Sequence, residues 1–366
     1  MKLTIKREEL LPALQIVNGV VERRQTLPIL SNLLLSSGPD SLQLTATDME
    51  VELVAQIKKT TKGVTDVTLP ARKLLDICRA LPDGATLNLD VDGDRATVIS
   101  GRSRFTLSTL PAREYPLIEM AERIAEFSVA QNELKNLLER TAFAMAQQDV
   151  RYYLNGLLLE LSKGRVRAVA TDGHRLALCE IDADLSLPQP IQVIVPRKGV
   201  LELIRLLKDG EDAVRVQISR NHFRVDLGEM RFTSKLVDGK FPDYEKVIPK
   251  EGDAPIVANR ELLRQSLTRA SILSNEKYRG VRITLSKNTL RALAHNPDQE
   301  EAEEEIEVQY TGEEMEVGFN VSYLLEALSI IRSDGVRITV TDPNASALIL
   351  PEATSRCKYV VMPMRL

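Results

Sequence analysis

Tryptophan is absent from this 366-residue chain, and aromatic residues make up 4% of it. So thin a supply of stacking platforms disfavours a single-strand nucleic-acid binder. Cysteine is scarce too: Cys78, Cys179 and Cys357 form an odd set whose spacings fit no metal site. Each has apolar neighbours, and the expectation is three buried, reduced thiols in a reducing cytoplasm. His174, His222 and His295 are scattered, with no cysteine or carboxylate cluster at ligand spacing, so no metal is expected. The chain has no P-loop, no Gly-x-Ser-x-Gly elbow and no dinucleotide-binding glycine fingerprint, and no cofactor is expected. No apolar run approaches the ~18 residues of a membrane span. The opening Met1-Lys-Leu-Thr-Ile-Lys-Arg-Glu-Glu has no secretory core. The net charge of −4 lacks the basic excess usual in nucleic-acid-binding domains. A total leaves distribution open, however, and a chain can be acidic outside and basic on one inner surface.

What the chain has is globular material, 43% hydrophobic and 27% charged, at a length that suggests two or three domains. It also carries a repeat. Leu74, Ile77, Cys78 and Leu81 share one helical face, as do Val200, Leu203, Ile204 and Leu207, and then Leu324, Ala327, Leu328 and Ile331. Each set follows a residue suited to a strand-to-helix junction: Pro70, Pro196 and Asn320. A further helix precedes each: Leu10/Ala13/Leu14/Val17, Leu134/Leu137/Leu138/Thr141 and Leu263/Ser266/Leu267/Ala270. Alternating runs such as Leu42/Leu44/Ala46, Val166/Ala168/Ala170, Val281/Ile283/Leu285 and Phe223/Val225/Leu227 read as half-buried strands. Ala46-Thr47-Asp48, Ala170-Thr171-Asp172 and Ala294-His295-Asn296 echo one another at the middle of each unit. The plan is α+β, three repeated domains of two helices on antiparallel sheets. Linkers fall near Pro116–Glu126 and Pro249–Pro255, giving domains 1–120, 127–250 and 254–366.

Charge follows the repeat in part. Away from its apolar stripe the second helix carries Arg72, Asp76 and Arg79, and the matching helix Lys198, Glu202 and Arg205; the third has Ser322, Glu326 and Ser329. These faces read either as solvated helix surface with paired charges or as a track for a phosphate backbone. Glu300, Glu301, Glu303 and Glu304 crowd the third repeat, while Arg102 and Arg104 flank Phe105 and Leu107 in the first. With Ile272 and Leu273 beside the acidic run, the two ends suit head-to-tail closure of a homodimer. Thr171-Asp-Gly-His-Arg admits a hydrolase centred on Asp172 and His174, although its Asp and Gly fit a tight turn better. The Met-rich end, Tyr359-Val-Val-Met-Pro-Met-Arg-Leu, reads as a buried last strand, as lining of an apolar groove, or as both.

Five stretches resemble the bacterial DNA polymerase sliding clamp, the beta subunit of the replicative polymerase. They are Thr26-Leu-Pro-Ile-Leu-Ser-Asn, Gln148-Asp-Val-Arg-Tyr-Tyr-Leu-Asn-Gly, Ala170-Thr-Asp-Gly-His-Arg-Leu, Ser234-Lys-Leu-Val-Asp-Gly-Lys-Phe-Pro-Asp-Tyr and the terminal eight residues. The resemblance runs from Met1 to Leu366 and implies a DNA-clamp fold of three domains, dimerised head to tail into a ring. It implies a processivity factor without catalysis, which encircles double-stranded DNA. Contacts to the duplex would come from Arg24, Arg72, Gln147, Gln148, Tyr152, Tyr153 and Lys198; many members have His where this chain has Gln147. A partner-peptide groove would be lined by Leu154, Thr171, Gly173, His174, Arg175, Leu176, Pro242, Val247, Asn320, Tyr323, Ser346, Val360, Val361, Met362, Pro363 and Met364. Its implied partners are the polymerase catalytic subunit, the clamp loader, other polymerases and repair proteins, through short apolar motifs. The rival readings are the hydrolase and a symmetric scaffold that never meets DNA.

Overall fold

Pro70 and Pro196 each end a strand and stand immediately before a helix. Proline offers no N–H to extend a ladder, and its fixed φ suits a helix entrance. Asn320 does the same work differently, its side-chain oxygen accepting the Ser322 N–H at 2.9 Å. In a computed structural model that describes residues 2–22, 27–59, 65–252 and 254–365, these junctions recur within a threefold plan. Each third runs strand, helix, four strands, helix, three strands.

The first third comprises β1 (Lys2–Lys6), α1 (Arg7–Val17), β2 (Asn32–Ser37), β3 (Ser41–Thr47), β4 (Val51–Lys58), β5 (Thr65–Pro70), α2 (Ala71–Ala80), β6 (Thr86–Asp92), β7 (Arg95–Ser100) and β8 (Ser103–Ser108). The second has β9 (Arg123–Ala130), α3 (Gln131–Ala142), β10 (Gly156–Ser162), β11 (Arg165–Thr171), β12 (Arg175–Asp182), β13 (Ile191–Pro196), α4 (Arg197–Leu206), β14 (Ala213–Ser219), β15 (His222–Leu227) and β16 (Met230–Lys235). The third has β17 (Ile256–Asn259), α5 (Arg260–Ala270), β18 (Gly280–Ser286), β19 (Thr289–His295), β20 (Glu301–Glu307), β21 (Met315–Asn320), α6 (Val321–Ile330), β22 (Gly335–Thr339), β23 (Ala347–Pro351) and β24 (Cys357–Val361).

The apolar stripes fix the helices. All four residues expected on each of α1, α3 and α5 are buried. On α2 the buried set is Ala71, Leu74, Leu75 and Cys78, and Ile77 lies at the margin. On α4 Val200, Leu203, Leu206 and Leu207 are buried and Ile204 is marginal. The stripes are therefore turned by part of a residue step from the expected ones, because the sheet selects the flank that meets it. Burying each such aliphatic contributes roughly 1.5–3 kcal/mol.

The chain packs as two compact units, Met1–Asn132 with Lys198–Leu236, and Glu133–Arg197 with Val237–Leu366. The first unit holds a four-stranded sheet, β1-β6-β7-β8, and an eight-stranded one, β5-β2-β3-β4-β16-β15-β14-β9. The second unit repeats the design with β20-β19-β18-β21 and β13-β10-β11-β12-β24-β23-β22-β17. In both eight-stranded sheets two thirds of the chain meet, through β4 against β16 and through β12 against β24. Packing thus divides the middle third, while the repeat keeps it whole.

The β12–β24 register also corrects one expectation. Cys179 stands directly opposite Cys357, and the two are joined as a disulfide, so only Cys78 is a free, buried thiol. Two cysteines 178 residues apart give no local sign that their strands are neighbours.

Candidate functional site

The Thr171–Arg175 turn between β11 and β12 organises one end of the second unit. Thr171 Oγ1 donates to the Arg175 carbonyl at 2.6 Å and accepts the Gly173 N–H at 3.1 Å. Asp172 Oδ1 accepts the main-chain N–H groups of His174 and Arg175, and Asp172 Oδ2 accepts from Arg175 Nε at 3.1 Å. Gly173 takes φ +89°, the left-handed region that disfavours a side chain. The Asp172 carboxylate is therefore spent on the turn, and the exposed His174 ring stacks against Tyr323, centroids 6.4 Å apart. That arrangement lacks the carboxylate–imidazole bond a hydrolytic pair would need.

Arg175 ties this turn to two helices. Its guanidinium lies 4.6 Å from the Tyr323 ring centroid and 5.4 Å from that of Phe143. It donates to the Phe143 carbonyl at 3.0 Å and pairs with Glu326 on α6. Phe143 escaped the sequence reading and Glu326 was noted there only as a charge on its helix face, since partners this distant in the chain leave no periodic signal.

The end of the chain forms the floor. In β24, Val360 and Val361 pair with Leu176 and Arg175 on one side and with Leu348 and Ala347 on the other. Both valines are buried, within 2% exposure. The tail then leaves the sheet: Met362 N–H donates to the His174 carbonyl at 2.9 Å, and Met364 N–H to the Gly318 carbonyl at 2.8 Å. Met362 is 36% exposed. Leu154, Leu176 and Val360 share one apolar cluster with Phe241 and Tyr244. Pro242 and Val247 are exposed on the segment carrying those two aromatics, Ser346 is half-buried just before β23, and the Asn320 side chain is occupied by its helix cap. Pro363 and Met364 are half-buried. Beyond the tail lies a cavity of about 380 Å³, lined by Tyr278, Leu293, His295, Met364 and Arg365 among others, which the sequence reading missed.

In the same unit, Gln147, Gln148, Tyr152 and Tyr153 occupy a loop clasped by Asn155. Its side chain accepts the Asp149 N–H at 2.9 Å and donates to the Asp149 carbonyl at 2.8 Å. Hydrogen bonds from the Arg151 side chain and N–H hold the Asp149 carboxyl down at about 2. Gln147, Gln148 and Tyr152 are exposed, with Val150 at the tip 95% exposed; Tyr153 is half-buried and meets Tyr152 edge-on at 5.8 Å.

In the first unit, Arg72 Nη2 donates to the Val21 carbonyl at 2.6 Å, and Lys198 pairs with Glu22 and Asp48. Partial burial acts to lower the Lys198 pKa, but the two carboxylates outweigh it and raise it above the ordinary lysine value. Arg24 lies outside the described residues.

The expected interface residues sit on two sheet edges. In the first unit β8 is an edge strand with Arg102 and Arg104 exposed beside it or on it; Phe105 is half-buried and Leu107 is buried in its own layer. In the second unit β20 is an edge strand bearing exposed Glu301 and Glu303, with Glu300 just before it accepting from Asn296. Glu304 faces α5, taking two bonds from Arg269 at 2.7 and 2.6 Å. Ile272 is 73% exposed and Leu273 half-buried. Among the described residues no helix is long and apolar enough to cross a membrane.

Comparison with known proteins bears on all these surfaces. Family profiles for the DNA polymerase III beta subunit match in succession: the N-terminal domain over 1–119, the central domain over 128–243 and the C-terminal domain over 245–365. The beta sliding clamp of Pseudomonas putida is 54% identical over 367 residues, covering 100% of both chains. The crystal structure of the DNA polymerase III subunit beta from Pseudomonas aeruginosa matches with a TM-score of 0.98 at 53% identity, again over 100% of both chains. A sliding clamp from Pseudomonas aeruginosa bound to griselimycin matches with a TM-score of 0.96 at 53% identity and 100% coverage of both.

Proposed function

The chain belongs to the DNA polymerase III beta subunit family, the beta sliding clamps, which are non-catalytic processivity factors of three-domain clamp fold, and from that membership we propose how its surfaces divide the work. Two copies close head to tail around duplex DNA, with domains at 1–120, 127–250 and 254–366. The pattern of sheet edges supports this reading most directly. Wherever two thirds of the chain meet, the strand that ends the first helix's hairpin set pairs with the strand that ends the next third: β4 with β16, then β12 with β24. The next pair in that series is β20 with β8, and both are unpaired edges of four-stranded sheets. Among the described residues of one chain they have no such partner. A second copy supplies it twice, which completes two more eight-stranded sheets and pairs both β8 and β20.

A closed ring holds DNA by topology, so its contacts can be weak and indifferent to sequence. Arg24, Arg72, Gln147, Gln148, Tyr152, Tyr153 and Lys198 supply those contacts, mainly to phosphates. The groove floored by Val360 to Met364 and rimmed by His174, Tyr323, Pro242 and Val247 takes short peptides with apolar anchors. The griselimycin complex of a sliding clamp from Pseudomonas aeruginosa supports a ligand site in this family. Through it the clamp tethers the replicative polymerase, the clamp loader and other replication and repair proteins in the cytoplasm, holding each at high effective concentration. Neither the hydrolase nor the DNA-free scaffold finds support.

The test is retention. Protein loaded on closed circular DNA should stay bound through a high-salt wash and run off within seconds once the circle is cut. Equal loss from circular and linear DNA would end the topological reading.

A further inference from the structure

Three cations on α2 and α4 of the first unit, Arg72, Lys198 and Arg205, are each engaged by one short segment. Arg72 donates to the Val21 carbonyl, Arg205 Nη2 to the Ile16 carbonyl at 3.1 Å, and Lys198 reaches the Glu22 carboxylate. Arg72 binds a main-chain oxygen, and Arg205 adds a single carboxylate, Glu202, to its main-chain bond. Lys198 differs, because it lies between two carboxylates and the local sum is negative.

Those two carboxylates are not alike. Asp48 is fixed: its side chain is 6% exposed, and its Oδ1 accepts the Glu50 and Val51 N–H groups at 2.9 and 2.7 Å. Glu22 is 54% exposed, and Lys198 is its only partner among the described residues. A phosphate approaching Lys198 therefore meets one carboxylate that cannot leave and one that can. Exposed ion pairs of this kind are weak enough to exchange readily.

Resting on the reading of α4 as a DNA-facing helix, we propose that Glu22 is a positioning residue that competes with phosphate for Lys198. It swings aside when a phosphate arrives and takes the ammonium back when it departs. Lys198 is then handed from one phosphate to the next without a bare cation between steps. The contact stays short-lived, which a sliding ring needs and a gripping one does not.

The test measures binding of the full-length protein to a short fluorescein-labelled duplex across a salt series, for the parent, Glu22→Gln, Lys198→Ala and the double variant. Glu22→Gln should bind about three- to tenfold more tightly at low salt, with a log–log salt slope steeper by up to ~0.9. Its one-dimensional diffusion on long DNA should slow. The double variant should match Lys198→Ala, because the gain passes through that ammonium. Lys198→Ala weakening binding while Glu22→Gln leaves it unchanged would overturn the competition and spare the DNA-facing reading of α4. Tightening by Glu22→Gln that survives in the Lys198→Ala background would reduce the effect to bulk charge, and also overturn it. If Lys198→Ala changes nothing, the DNA-facing reading fails and this inference falls with it.

Discussion

At the scale of single residues, the Ala-Thr-Asp echo proves to be one turn built twice. Thr47 Oγ1 donates to the Val51 carbonyl and accepts the Met49 N–H, and Asp48 Oδ1 accepts from Glu50 and Val51. These are the bonds made by Thr171 and Asp172 eight β-strands later. The shared geometry needs a left-handed third residue, and the two copies meet that need unequally: Gly173 at φ +89°, Met49 at φ +75°. A left-handed non-glycine costs about 1–2 kcal/mol, and glycine's extra unfolded-state freedom gives part of that back. Met49→Gly should therefore stabilise the protein by about 0.5–1 kcal/mol in urea unfolding, and Gly173→Ala should destabilise it by about 1–2 kcal/mol. A neutral or destabilising Met49→Gly would show that the turn carries no strain there. Glu52, just past the first of these turns, offers a pH test. Burial raises its carboxyl pKa, against the Ile118 N–H that it accepts at 2.9 Å and the charges of Arg224 and Arg231. A folded pKa above the unfolded one means that the proton is held more tightly in the native state. The resulting stability is complete below the unfolded value of about 4.3 and is lost as pH rises through the folded one. Glu52→Gln should thus raise the melting temperature at pH 8, with the gain vanishing near pH 4. A gain independent of pH would assign the effect to something other than ionisation.

At the scale of elements, the helices were legible and the joins between strands were not. Periodicity located all six helices, because an amphipathic stripe is written locally, and Pro70, Pro196 and Asn320 marked three of their entrances. The error on α2 and α4, where Ile77 and Ile204 gave way to Leu75 and Leu206, arose because a stripe's edge is decided by the partner sheet. The pairing of β12 with β24, and with it the Cys179–Cys357 bond, is information held between segments far apart in sequence. The groove was partly legible for the same reason. The turn at 171–175 and the Met-rich tail announce themselves, whereas the locking of Arg175 by Phe143 and Glu326 does not. The tail reads as buried strand, as groove lining or as both, and the chain divides it at Val361: two valines inside the sheet, Met362 onward outside. Deleting Met362 to Leu366 should accordingly lower binding of apolar-anchored partner peptides by about tenfold or more, since a few anchors carry most interface energy. The melting temperature should barely move, because β24 and its ladders remain. A truncated protein that stays folded and binds at full strength would remove the tail from the groove, and one that melts early would make it part of the core.

At the scale of the whole molecule, the charge that looked wrong in total is right in its placing. A net charge of −4 conceals a basic edge at Arg102 and Arg104 and an acidic one at Glu301 and Glu303. These exposed charges flank strands that the repeat leaves unpaired; in the proposed dimer, attraction would guide the approach and backbone hydrogen bonds would set the register. Charge and register leave the affinity to apolar contact, and the exposed residue best placed to give it is Ile272, with half-buried Leu273 beside it. Leu107 is buried and Glu304 is bonded to Arg269, each within its own unit. In a closed head-to-tail dimer the junction occurs twice, so every lost contact counts twice. Burying a large aliphatic is worth roughly 1.5–3 kcal/mol, and removing even part of that at both junctions raises the dissociation constant by several powers of ten. Ile272→Ala with Leu273→Ala should therefore sediment as a monomer at nanomolar concentrations where the parent remains a dimer. Leu201→Ala is the control: Leu201 is 46% exposed on α4, on neither edge strand, and its loss should leave the dimer intact. The monomer should also shift back towards dimer at micromolar concentration and keep the parent's circular dichroism, which separates a weakened junction from a misfolded chain. A double variant as dimeric as the parent would place the junction elsewhere than β8 and β20. Dissociation by Leu201→Ala to the same degree would mean that apolar surface in general, and not the unpaired edges, holds two copies together.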